Sequence, residues 1–169
     1  MSLPNDDEDA ERRMRMELVR IDRSNWRNAA AVTVADEQMR FATPYQPVAL
    51  VILSKAYLEV DGKRWEPFAL VVDGEILGVV ALVFADQACG IFHLAVDRSA
   101  QGRGHGTAAV QAIIEYALEL RGCDSVTLTV HPDNTVAQHV YERVGFKPTG
   151  EHRHGEPFWE YKRPHPSDE

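Results

Sequence analysis

Gln101-Gly102-Arg103-Gly104-His105-Gly106 lies between an apolar, strand-like run, Ile91 to Val96, and a helix-like run, Thr107 to Leu120. Glycines at alternate positions let the backbone approach an anion closely and adopt positive φ, so that successive N–H groups point at it. A helix starting at the end of the loop adds the positive end of its dipole. The order of parts decides the reading: without the flanking strand and helix this would be a surface loop, and with both it is an anion cradle.

Three phosphate-binding patterns compete for the loop, and spacing separates them. A P-loop ends in Gly-Lys-Ser/Thr, whereas Gly106-Thr107-Ala108 has no lysine. A dinucleotide fingerprint can be forced onto Gly104 to Ala109, but Asp97 to Arg103 then separate its first glycine from the strand. The next strand, Ser125 to Val130, also runs into His131-Pro132 instead of closing on an acidic residue. The third pattern, Gln/Arg-x-x-Gly-x-Gly/Ala, is matched at Gln101, Gly104 and Gly106. It resembles the coenzyme A pyrophosphate loop of the GNAT N-acetyltransferase superfamily. One helix and one strand later the chain reads Asn134-Thr135-Val136-Ala137, then Tyr141 and Gly145-Phe146. That run is similar to the second signature of the superfamily, Asn-x-x-Ala-x-x-x-Tyr-x-x-x-Gly-Phe. From Leu50 to Glu151, with Trp65-Glu66-Pro67 and Asp73 to Gly78 as upstream landmarks, the chain resembles its bacterial spermine/spermidine (diamine) acetyltransferase branch.

The resemblance implies an α/β (α+β) GNAT acyl-CoA N-acyltransferase fold, a mixed twisted sheet of about seven strands flanked by about four helices. It implies acetyl-CoA as cosubstrate and direct attack on the thioester by a primary amine. Pantetheine would lie against the backbone of Leu94, Ala95 and Val96, in a gap opened by a bulge near the end of that strand. A backbone N–H near Val96 would polarise the thioester carbonyl. Gln101, Gly102, Arg103, Gly104, His105, Gly106 and Thr107 would hold the pyrophosphate, with Asn134, Ala137 and Tyr141 on the next helix. At 100° per residue Asn134, Ala137 and Tyr141 fall within roughly 60° of one another, beside an apolar stripe of Val136, Val140 and Val144. The family's spacing makes Tyr141 the acid that protonates the departing thiolate; by itself it would read as a packing residue. Asn134 also suits a helix N-cap. The glutamate of better-known polyamine enzymes falls here on Phe92, so the base is His93, direct or through water, or a water chain alone. His93 reads equally as a histidine on a sheet face bonded to a backbone carbonyl.

Bulk properties fit a small enzyme. The chain has 169 residues, 44% of them apolar, enough for one domain with a proper core, placed at 15–163. The acidic run within 1–14 and the end, 164–169, read as disordered tails. No apolar run approaches a membrane span, and the acidic start is the opposite of a signal peptide, so a cytoplasmic protein without membrane contact is expected. A net charge of −8 argues against nucleic acid and draws in cationic amines. Cys89 and Cys123 make neither a disulfide framework nor a metal cluster, and His152-x-His154 lacks further ligands, so packing cysteines and no metal are expected.

The coarse pattern runs strand Met16 to Ile21, helix Asn25 to Val34, helix Pro47 to Val60, and a hairpin of Phe68 to Val72 and Ile76 to Phe84 about Asp73-Gly74. A turn at Asp86 to Gly90 leads to strand Ile91 to Val96, then helix Gly104 to Leu120 capped at Gly122. Strand Ser125 to Val130, helix Asn134 to Val144 and strands Lys147 to Glu151 and Pro157 to Lys162 follow. Acceptor contacts are expected from the link Arg40 to Tyr45, from Glu59, Asp61 and Glu66, and from His152, His154, Glu156 and Trp159. The acceptor class stays open among polyamines, aminoglycosides, amino acids and protein N-termini. So do a catalytically silent acyl-CoA-binding module, an NAD-binding enzyme, and a homodimer joined through sheet edges or helices.

Overall fold

The computed structural model describes residues 15–43 and 45–164. The acidic segment 1–14, Pro44 of the aromatic link and residues 165–169 lie outside the described residues, and with them both expected tails apart from Pro164. Seven strands form one sheet in the order β1-β2-β3-β4-β5-β7-β6: β1 Glu17–Arg20, β2 Trp65–Val72, β3 Glu75–Ala85, β4 Ala88–Val96, β5 Ser125–Thr129, β6 Lys147–Arg153 and β7 Glu156–Lys162. All neighbours are antiparallel except β4 and β5. Among the described residues the α-helices are α1 Trp26–Ala30, α2 Met39–Ala42, α3 Val48–Leu58, α4 His105–Glu115 and α5 Thr135–Val144. One more helix appears than expected, because the link between the first two long helical patterns carries the short α2.

The sheet is covered on both faces. One face packs Val80, Leu82, Cys89, Ile91 and Val126 under Ala109, Val110 and Ile113 of α4 and Tyr141 of α5. The other packs Trp65, Ala69, Val79, Ala81 and Ala95 under Ala29, Val48, Ala49 and Ile52. Both cysteines are buried, and burial pushes the Cys89 thiol up to about 12, so it is an inert packing residue.

Several boundaries shift, each for a local reason. The helix expected to Val34 stops at Ala30, because Thr33 donates its N–H to Asp97 and accepts from the N–H of Arg98, which pulls the β-branched run out of helix. Helix α3 ends at Leu58, where Glu59 turns left-handed at φ 48°. Strand β4 begins at Ala88 instead of Ile91, since Asp86 and Gln87 both take positive φ (49° and 63°) and close a tight hairpin without glycine. Helix α4 gives way to a π-helical turn, Tyr116–Leu120, before the expected stop at Gly122.

The decisive irregularity is in β4. Cys89 and Ile91 face α4, while Phe92 faces α3 as strict alternation demands. Leu94 then returns to the α4 face and Ala95 to the α3 face, so the parity inverts across His93. The register slips at the same place: Ala81 pairs with Phe92 but Val79 pairs with Ala95. His93 is the extra residue of a β-bulge and adopts φ 52°. Pairing of β4 with parallel β5 ends at Gly90 and Thr127, although β4 runs on to Val96. The two strands therefore part beyond Gly90.

Candidate active site

Where β4 and β5 separate, a cavity of about 390 Å³ opens. Its walls come from the end of β4, the glycine loop with the start of α4, the end of β5 with α5, and the segment around α2.

The glycine loop supplies donors without side-chain competition. Gly104 is the N-cap of α4 in left-handed conformation (φ 83°), and no side chain caps it. The first intrahelical bond runs from Ala108 N–H to Gly104 carbonyl, which leaves the preceding N–H groups at the helix mouth. Gly106 matters differently. A Cβ built there would meet only Val140 Cγ2, at 3.9 Å, so the protein itself leaves that space open. Gly102, His105 and Thr107 also line the cavity. Arg103 does not; it is exposed on the outside of the loop. Gln101 lines the cavity but its amide is committed, donating to the Val96 carbonyl at 2.9 Å and to Gln38 Oε1 at 2.6 Å.

The second wall is α5. Asn134 caps it, its Oδ1 accepting from Ala137 N–H at 3.3 Å, and both residues face the cavity. Tyr141 is 9% exposed, with its ring 5.7 Å from that of Phe146. Gly145, at φ 112°, ends the helix, and Phe146 N–H returns to the Tyr141 carbonyl at 2.9 Å. Gly145 and Phe146 thus lock the turn that carries Tyr141. Among the described residues no side chain hydrogen-bonds the Tyr141 hydroxyl. Burial pushes its phenol up to about 12, so it stays protonated at neutral pH and ready to donate.

Leu94, Ala95 and Val96 line the cavity as the backbone edge that β5 leaves unpaired. His93 lines it too, yet both ring nitrogens are engaged elsewhere. Lys55 Nζ sits 2.8 Å from Nε2, and Nδ1 faces the Ala42 carbonyl at 3.5 Å. The consistent tautomer is Nδ1–H to the carbonyl and Nε2 accepting from the Lys55 ammonium. Burial first, then the Lys55 charge, lower the His93 pKa, so the ring is neutral. Its lone pair is already taken.

Other expected acceptor contacts scatter. Glu66 is 3% exposed and held outside the cavity by Arg20 at 2.6 Å and Arg121 at 2.8 Å. Glu59, Asp61, His152 and His154 are exposed and do not reach the cavity, and Trp159 is in the core. Of the aromatic link, Phe41 lines the cavity while Tyr45 points to solvent. Glu156 does reach it. Wall residues that carried no functional signal in the sequence include Gln38, bonded to Gln101, and His131, whose ring lies 5.4 Å from Phe41.

The GNAT acetyltransferase family pattern matches residues 25–146, a stretch that contains both the glycine loop and the Asn134-to-Phe146 run. The chain belongs to the GNAT acetyltransferase family. Among its GNAT relatives, a mycothiol acetyltransferase of Beutenbergia cavernae is 41% identical over 81 residues, 47% of this chain and 27% of the relative. A spermidine N(1)-acetyltransferase of Escherichia coli is 29% identical over 117 residues, 68% of this chain and 62% of the relative. The chain thus spans less than two thirds of the length of either. The GNAT fold is also that of a Vibrio cholerae spermidine N-acetyltransferase solved with coenzyme A and spermine (TM-score 0.67, 16% identity, 88% of this chain and 95% of that one). It is shared with aminoglycoside acetyltransferase AAC(6')-Ib solved with coenzyme A (TM-score 0.68, 17% identity, 88% and 95%).

Proposed function

We propose that this GNAT chain transfers the acetyl group of acetyl-CoA to a primary amine by direct attack. The observation that carries this reading is the conjunction, around one cavity, of an uncapped helix mouth at Gly104–Thr107, an unpaired strand edge at Leu94–Val96 and the unpartnered hydroxyl of Tyr141. The residues fit acetyl-CoA: the open space at Gly106 admits an anion to the N–H groups, and the α4 dipole favours it. Among the described residues the Asn134 N–H₂ has no partner, which suits it to bond the pantetheine while its oxygen caps α5.

Among the described residues neither serine nor cysteine lines the cavity, which supports attack by the amine itself without an acyl-enzyme. The unpaired N–H groups of the β4 edge polarise the thioester carbonyl as negative charge develops on its oxygen. The nitrogen–carbon bond forms, the carbon–sulfur bond breaks, and Tyr141 donates its hydrogen bond to the departing sulfur. With His93 occupied by Lys55, the ammonium proton of the acceptor leaves through water. The coenzyme-A-free wall between α2 and β7 receives the amine, and the −8 net charge raises its local concentration.

The test is release of coenzyme A thiol from acetyl-CoA with monoamines, spermidine, spermine, an aminoglycoside, amino acids and short peptides. Saturable turnover with at least one amine, and none with alcohols, is expected. Tight acetyl-CoA binding without turnover across the panel would reject catalysis.

A further inference from the structure

The cavity is poor in charge. Among its lining residues Glu156 is the sole carboxylate, and no lysine or arginine lines it. Glu156 opens β7 two residues before Phe158, which pairs with Thr129 at the end of β5. The Pro157 carbonyl fixes this corner by accepting from Val130 N–H at 3.2 Å. The segment is half-buried. Unlike Glu66, whose carboxylate is held by Arg20 and Arg121, the Glu156 carboxylate has no hydrogen bond or ion pair among the described residues. Such an unpaired carboxylate on a cavity wall favours a ligand that brings a positive charge.

Resting on the acetyl-transfer reading, we infer that Glu156 anchors the ammonium group of the acceptor, and that the acceptor is an amine with a single positive charge on an otherwise uncharged body. The charge count makes the second half. A fully protonated polyamine carries three or four ammonium groups, and Glu156 satisfies one. The rest would be desolvated against Phe41, Ile91 and Leu128, with no second carboxylate on the wall to meet them. The other candidate carboxylates do not line the cavity: Glu66 is neutralised by arginines, and Glu59 and Asp61 stand in solvent beyond α3. Apolar surface in place of further carboxylates suits an alkyl or aryl substituent or an uncharged peptide-like chain behind one amine.

The experiment compares the wild-type chain with Glu156→Gln and Glu156→Asp, using phenethylamine as monocation and spermidine as polycation. Expected is a rise of about tenfold or more in the KM for phenethylamine in Glu156→Gln, with the KM for acetyl-CoA unchanged and partial recovery in Glu156→Asp. Wild-type kcat/KM is expected to be at least about tenfold higher for phenethylamine than for spermidine. An unchanged KM in Glu156→Gln, or a spermidine preference of that size, overturns the inference. A second readout separates it from the function it rests on: saturable broadening of phenethylammonium NMR resonances by the coenzyme A complex, lost in Glu156→Gln. If that binding is seen while no amine is turned over, the acetyl-transfer reading fails and the anchor stands. If it is absent in the wild type, the anchor fails.

Discussion

Tyr141→Phe lowers kcat for acetyl transfer at saturating substrates about a hundredfold while leaving the KM for acetyl-CoA within about twofold. The separation of the two effects follows from the site. The ring is held by Phe146 and by the Gly145 turn, and both survive the substitution. The hydroxyl bonds to no side chain among the described residues, so its removal breaks nothing in the fold. In the proposed reaction, what disappears is the hydrogen-bond donor to the departing sulfur. A phenol pushed up to about 12 keeps its proton to donate at neutral pH but is a reluctant acid toward an ordinary thiolate, whose pKa is about 8.5. In the proposed reaction the departing sulfur would lie beside this buried phenol, and desolvation there would raise the pKa of its conjugate thiol as well, which narrows the gap. Steady-state rates at saturating acetyl-CoA and amine check the prediction, with circular dichroism as the fold control. An unchanged kcat would remove Tyr141 from the chemistry.

Glu66→Ala destabilises the fold by about 3 kcal/mol and lowers the midpoint of thermal unfolding by about 10 °C. Glu66 on β2 is the meeting point of three arginines from different parts of the chain. Arg20 comes from β1, at 2.6 Å; Arg64 lies just before β2, at 3.8 Å; Arg121 follows the π-helical turn, at 2.8 Å. Arg121 also stacks over Phe84 of β3 with 3.8 Å between guanidinium carbon and ring centroid, so the carboxylate fixes the end of the α4 extension to three strands. Its removal leaves Arg121, the least exposed of the three, without its counter-charge. Arg64→Ala is the control: an exposed residue at the long distance, it costs less than about 0.5 kcal/mol. Thermal unfolding of both variants checks the contrast, and equal effects would contradict the hub assignment. Catalysis should survive Glu66→Ala below the transition, because the carboxylate lies outside the cavity.

The order of elements was legible because it rests on local signals. Asp73-Gly74 closes its hairpin with φ of 50° and 77°, the geometry that dipeptide favours. The glycine loop and the Asn134-to-Phe146 run both sit where a strand hands over to a helix. The bulge was not legible. Ile91 to Val96 is apolar apart from His93, and an apolar run buried on both faces shows no alternation from which a skipped residue could be read. The turn expected at Asp86 to Gly90 is there but shorter, ending at Gln87, because residues other than glycine adopt its positive φ. Acceptor-side residues were the least readable. Glu59, Asp61, Glu66 and Glu156 look alike in sequence; only the packing of three arginines around one, solvent around two, and the cavity around the fourth separates them. The pairing of Lys55 with His93 is likewise a contact between α3 and the bulge that no spacing encodes.

Calorimetric titration of acetyl-CoA into the wild-type chain and into Gly106→Glu tests the central claim most directly, because the substitution pushes stability and binding in opposite directions. Gly106 lies in the first turn of α4, outside the left-handed region, with nothing nearer than Val140 Cγ2 at 3.9 Å to obstruct a side chain. A carboxylate there complements the helix dipole and keeps or slightly raises thermal stability. In the proposed cradle it would meet the pyrophosphate as a like charge. The account predicts saturable, one-to-one binding to the wild type and a loss of at least about a hundredfold in affinity in a Gly106→Glu variant that unfolds no earlier. Equal affinity in the two proteins, or no acetyl-CoA binding by the wild type, would contradict it.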